Sequence, residues 1–103
     1  MTKAELVNEV SIKTGIEKVQ VQNTVESMMK VIRQALINND NVYLRGFGSF
    51  IVKRRAEKIG RIITKNTTIV IPEHYIPAFK PAKTFTDRVK KEHAKKQNAS
   101  KQQ

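Results

Sequence analysis

Hydrophobic positions recur at helical spacing twice in the first half of the chain. Leu6, Val7 and Val10 form a short stripe. Thr2 and Glu5 stand ahead of it at the separation of a capping box, in which a hydroxyl and a carboxylate each satisfy an orphan backbone N–H at a helix start. Gly15 follows Thr14 and takes the left-handed conformation of a helix stop without steric cost. The pattern predicts a first helix of about three turns. A second helix follows without a good cap, because Glu17 occupies the capping position and only Gln20 is placed to reach back. Val21, Val25, Met28, Ile32 and Leu36 then recur every three or four residues. With Met29 and Val31 the apolar face widens to roughly 160° at about 100° per residue. So broad a face on so small a chain calls for burial against a second copy, since a domain of this size has little core of its own to cover it. A homodimer is the expectation.

The cluster Asn38-Asn39-Asp40-Asn41 reads as a turn, after which Val42 and Leu44 alternate with Tyr43 and Arg45 in the period of a strand. Gly46-Phe47-Gly48 makes a tight bend. Ser49 to Ile59 reads as one long strand, apolar at Phe50 and Val52 and basic at Lys53, Arg54, Arg55 and Lys58. After Arg61 to Asn66, the β-branched run Thr67-Thr68-Ile69-Val70-Ile71 gives a second strand closed by Pro72. The two form a hairpin whose distal half has too few core-facing side chains to pack on the body, so it projects as an arm, mobile without a ligand. Ile76 to Pro81 leads back to the body. Phe85 and Val89, four apart, mark a short last helix. From Lys90 onward Ala is the only apolar residue type, the composition of a disordered basic tail.

Charge separates these parts. The chain has 103 residues, no Cys and a formal net charge of +11, a length that favours one domain. Residues 1–44 hold five basic and five acidic groups, whereas residues 45–103 hold fifteen basic and four acidic ones, so the whole excess lies in the second half. That asymmetry implies a scaffold segment joined to a segment that binds a polyanion, nucleic acid first and an anionic membrane surface second. Without Cys there is no disulfide frame, thiolate metal site or cysteine nucleophile, and a cytoplasmic location is the easier one. The amino terminus has no apolar signal core, and no apolar run approaches the ~18 residues of a membrane span. His74 and His93 lie far apart in a chain without Cys, so neither a metal site nor a catalytic triad is expected. Met28 and Met29 read as core at helical spacing. No cofactor and no enzymatic activity are expected.

Gly46-Phe47-Gly48-Ser49-Phe50, followed in one fixed register by Arg55-Ala56, Gly60-Arg61, Ile71-Pro72 and Pro77-Ala78-Phe79-Lys80, closely resembles the HU/IHF family of bacterial histone-like DNA-binding proteins. The resemblance covers residues 1–90, and Pro77 to Lys83 is more similar to the HU branch. It implies an α+β fold in an intertwined dimer. A helical hairpin (1–38) serves dimerisation, a three-stranded antiparallel sheet with a long β-ribbon arm spans 42–81, and a short helix spans 82–90, ahead of the basic tail 91–103. The implied function is a nucleoid-associated architectural protein of the bacterial cytoplasm. It binds double-stranded DNA through the minor groove with low sequence specificity, bending, wrapping and compacting it. By register, the resemblance implies phosphate contacts at Arg55, Lys58 and Arg61 on the arm and at Lys3, Lys80 and Lys83 on the body.

Five basic groups at 53, 54, 55, 58 and 61, opposed only by Glu57, exceed what protection of a strand edge needs and match contacts along a groove. Lys53 joins the set. Arg54 has the opposite pleat parity and faces the other side. Phe47, Phe50 and Phe79 are expected in the core rather than stacked on bases. Two departures from the family pattern stand out. Where the family carries Asn-Pro after Gly-Arg, with proline as the wedge between base pairs, this chain has Ile62 and Ile63. Ile is among the apolar residues that serve as wedges, so Ile63 is assigned that role. Asn66 replaces the usual Gly at the arm tip and tolerates positive φ best among non-Gly residues. Other readings compatible with composition are a basic protein bound to RNA or the ribosome, an IHF-like site-directed bender, a heterodimer with a paralogue, and an adaptor on anionic membranes.

Overall fold

The computed structural model describes residues 1–62 and 64–101, with side chains described as far as Lys96. Ile63 therefore lies outside the described residues. Helix α1 (Lys3–Thr14) starts at Thr2, whose Oγ1 accepts from the Glu5 backbone N–H at 3.2 Å and donates to the Glu5 carboxylate at 3.3 Å. The carboxylate thus meets the hydroxyl rather than the Thr2 N–H of a full capping box. The helix ends where predicted: Gly15 has φ of 74° and its N–H reaches the Ser11 carbonyl at 2.9 Å. Helix α2 (Lys18–Ile37) starts at Glu17 with no side-chain cap, as the sequence suggested, and turns out through Asn39 at φ 60°.

Helix α1 packs on α2, and α2 packs on a three-stranded antiparallel sheet in the order β1 (Val42–Leu44), β2 (Gly48–Arg55), β5 (His74–Pro81). Strands β3 (Lys58–Ile62) and β4 (Thr67–Ile71) pair only with each other, as a separate ribbon beyond the sheet. The single strand expected over 49–59 is therefore two strands, with a break at Ala56-Glu57. Its cause is across the ladder: Pro72 has no N–H to donate, so pairing stops after Ile71 and resumes at His74. All five β4 residues are exposed. A radius of gyration of 19.9 Å, against about 13 Å for a compact chain of this length, fits a body with a projecting arm.

Gly48 is where the sheet closes most tightly. A Cβ there would lie 2.6 Å from the Lys80 carbonyl oxygen and 2.7 Å from the Phe79 ring. That approach lets Phe79 meet Phe50 at 5.0 Å and Phe47 at 5.3 Å between ring centroids, and Phe47 meets Phe85 of the last helix at 5.4 Å. The aromatics cluster, yet in the single chain they do not form the buried core expected of them: Phe47 stays 44% and Phe79 41% exposed, and Phe50 is half-buried.

Among the described residues only Val7 and Val21 are buried apolar side chains, at 3% and 4% exposure. Val31 and Ile37 of α2 are each 68% exposed. One chain therefore leaves its widest apolar face uncovered, on a groove of about 700 Å³ lined by Met29, Ile32 and Leu36 of α2 and Phe50, Val52 and Pro77 of the sheet.

Helix α3 (Lys83–Lys101) corrects two expectations: it is not short, and it occupies the segment read as a disordered tail. An absent apolar stripe says that the segment buries nothing, not that it cannot coil. No Gly or Pro occurs after Pro81, and Lys, Ala and Gln make up more than half of the residues there, all strong helix formers.

Replacing Gly48 by Ala is expected to destabilise the fold by about 1–3 kcal/mol through the Lys80 and Phe79 clash, read as a lowered melting temperature at fixed protein concentration. Thr2→Ala should cost about 1 kcal/mol through the lost cap, with a smaller fall in the same measurement.

Candidate nucleic-acid interface

Strand register sorts the basic residues by face. Cross-strand partners share a face, and β2 pairs β5 as Ser49 with Lys80, Lys53 with Ile76 and Arg55 with His74. Lys53, Arg55 and Lys80 therefore stand on one side of the sheet, with Ile51 and Ala78 between them. Phe50, Val52, Tyr75 and Pro77 stand on the other, where they line the groove beside α2. Arg54 shares that second side, as its parity required.

The basic side continues past the sheet. A shallow groove is walled by Arg45, Ser49, Lys80 and Lys83, bringing together two expected residues and one that sequence reasoning passed over. Arg45 carried only the signal of a lone cation in the β1 to β2 turn. Lys83 opens α3, whose first turn holds no acidic residue, so its unpaired backbone N–H groups add positive potential there.

The ribbon does not present its cations in one direction. Lys58 pairs with Ile71 and Arg61 with Thr68, an odd separation along β3 that sends their side chains to opposite faces. Arg61 also donates through Nη2 to the Asn66 side-chain oxygen, with Asn66 held at φ 50°. The arm-tip turn thus forms with Asn in place of Gly.

Two of the cations already have carboxylate partners. Arg54 grips Glu73 with two parallel bonds, Nε to Oε1 at 2.8 Å and Nη2 to Oε2 at 3.0 Å, which raise the guanidinium pKa further. Lys3 donates to Glu26 of α2 at 3.0 Å. That bond, with a longer one from the Gln22 amide, holds the Glu26 carboxyl below its usual range. Lys3 is thus the expected contact residue that holds an ion pair among the described residues, while Arg61 is engaged by the Asn66 amide oxygen. Lys53, Arg55, Lys58, Lys80 and Lys83 hold no ion pair among the described residues, and all five are exposed.

No cluster of three or more metal-ligating side chains and no helix long and apolar enough to cross a membrane occur among the described residues.

The family described as bacterial DNA-binding protein matches the chain over residues 1–90. DNA-binding protein HU of Thermus thermophilus is 40% identical over 91 residues, covering 88% of this chain and 94% of that protein. HU of Thermotoga maritima is 37% identical over 90 residues, covering 87% of this chain and 100% of that one. The fold superposes on Anabaena HU from its cocrystal with DNA at a TM-score of 0.82 and 35% identity, over 86% of this chain and 97% of that one. Helical hairpin, three-stranded sheet, separate ribbon and a match running through the whole of both parts lead to one assignment: the chain belongs to the bacterial DNA-binding protein family and, within it, is an HU-like protein.

Proposed function

We propose that this chain acts as a homodimeric architectural protein of the bacterial nucleoid, binding duplex DNA with little sequence preference and bending and compacting it. The observation that carries this reading is the register that collects Lys53, Arg55 and Lys80 on the sheet face turned away from α2, in a chain of the HU-like family. A second copy covers the groove between α2 and the sheet, where a lone chain leaves Met29, Ile32 and Leu36 beside open space. Two bodies joined there carry two ribbons. Residues 1–90 form the binding unit.

Phosphate neutralisation supplies most of the affinity, and DNA deformability supplies the selectivity. Lys53, Arg55, Lys80 and Lys83 bind the backbone across the body, joined by Arg45. On the ribbon, Lys58 and Arg61 project from opposite faces, an arrangement suited to the two sugar-phosphate walls of a groove that holds the ribbon between them. Lys3 contributes once phosphate displaces Glu26. Ile63, two residues after Arg61 in the sequence, is the wedge that unstacks a base step.

The test is a binding series on intact, nicked and kinked duplexes with a matched RNA competitor. Affinity for DNA should fall by about 10³–10⁵ between 50 and 200 mM salt for ~6–10 neutralised phosphates. A flat salt curve, or preference for the RNA duplex, would overturn the reading. Sedimentation of the DNA-free protein should give a dimer, and a monomer would remove the twinned body.

Ile63→Ala should lower the bend angle measured by fluorescence transfer while leaving the salt slope nearly unchanged; an unaltered bend would remove the wedge. Glu26→Gln removes the carboxylate that competes for Lys3 and should strengthen binding at low salt, whereas Lys3→Gln should weaken it and make the log–log salt slope shallower by about 1 for each protomer engaged. An unaffected slope would strike Lys3 from the contact set.

A further inference from the structure

Helix α3 runs past the last residue of the family match, from residue 90 to Lys101, and its described side chains are not arranged at random. At about 100° per residue, Arg88, Lys91 and Lys95 fall within an arc of about 60°, and all three are exposed. Phe85 and Val89 point roughly 110° away from that arc's centre. Phe85 docks on Phe47 of the body with ring centroids 5.4 Å apart, so the contact that anchors the helix leaves the basic stripe facing outward. Asp87 and Glu92 flank the stripe, yet neither holds an ion pair among the described residues.

The stripe begins where the body's basic groove ends. Arg88 shares a depression with Gly46, Phe47, Thr84 and Phe85. Gly46 is also a wall of the groove that holds Arg45, Lys80 and Lys83. From Arg88 to Lys95 the helix rises about 10 Å, close to three phosphate-to-phosphate steps of ~3.4 Å along one strand.

We infer that Arg88, Lys91 and Lys95 form an additional phosphate-binding rail, which engages duplex DNA beyond the body and lengthens the bound site. The inference rests on the duplex-binding reading of the preceding subsection. The rail is assigned to the sugar-phosphate backbone: three exposed cations spaced along one helix face suit a row of phosphates, whose contacts position a protein without reading sequence.

The test uses the full chain with Arg88→Gln, Lys91→Gln and Lys95→Gln combined. Gln keeps the helix, and circular dichroism checks that helicity is retained. Binding to duplexes of graded length is then measured over a salt series, beside an arm variant carrying Lys58→Gln and Arg61→Gln. The rail predicts that the triple variant needs a shorter duplex for full affinity. Its log–log salt slope should be shallower by about 2–3 for each protomer engaged, at ~0.9 per phosphate. Lys91→Arg with Lys95→Arg should restore the slope of the parent.

An unchanged slope and site length in the triple variant, with the parent still binding duplex and the arm variant weakened, would overturn the rail while leaving the duplex reading intact. A parent that fails to bind duplex at all would overturn both. Stripe-dependent capture by anionic vesicles, with no change on DNA, would assign these residues to a membrane surface and overturn the rail.

Discussion

The antiparallel ladder between β2 and β5 fixes the chemistry of this molecule. Eight residue pairs from Gly48 with Pro81 to Arg55 with His74 decide which side chains share a face. They therefore decide that Phe50 and Val52 turn toward the helices while Lys53 and Arg55 turn away. A slip of one residue would exchange the two sets, placing cations against α2 and aromatics in water. The ladder closes as it does because Gly48 admits the Lys80 carbonyl and the Phe79 ring to a distance that no Cβ would tolerate. A glycine at the start of β2 thus permits the close approach with which this register begins.

In the proposed function, association and DNA binding use opposite sides of that sheet. The α2 side is apolar and open in one chain, the other side basic and free of acidic partners. On that reading the two demands do not compete for area: the apolar surface serves a partner subunit, while Lys53, Arg55, Lys80 and Lys83, which hold no ion pair among the described residues, stay available to a polyanion. Net neutrality of the first half serves the same division, since two helical hairpins brought together carry no excess charge to repel one another.

Much of this was legible in the residues, and the failures have physical causes. Thr2 and Gly15 mark α1 because caps act locally, and the period of α2 is strong enough to survive a poor start at Glu17. The alternation through Lys53, Arg54 and Arg55 correctly separated Arg54 from its neighbours, since pleat parity needs only counting. The break at Ala56-Glu57 was not legible, because its determinant, Pro72, sits on the opposite strand. Nor was the ion pair between Lys3 and Glu26, whose members are far apart in sequence and meet only through the helical hairpin. The length of α3 was misread because disorder was judged from missing apolar residues, whereas propensity alone sustains the coil. Arg45 was passed over because a single cation in a turn has no pattern.

The interruption between sheet and ribbon has a mechanical consequence. A continuous two-stranded ladder twists and bends as one leaf, whereas here backbone pairing lapses on both strands at the same level, between Arg55 and Lys58 and between Ile71 and His74. Just beneath that gap the doubly bonded Arg54 and Glu73 tie the strands together laterally, keeping their spacing while leaving the direction of the ribbon to the few backbone torsions above. Such a joint separates two functions that a continuous ladder would merge: the ion pair sets the lateral spacing of the strands, while no backbone pairing at that level carries the direction of the sheet into the ribbon.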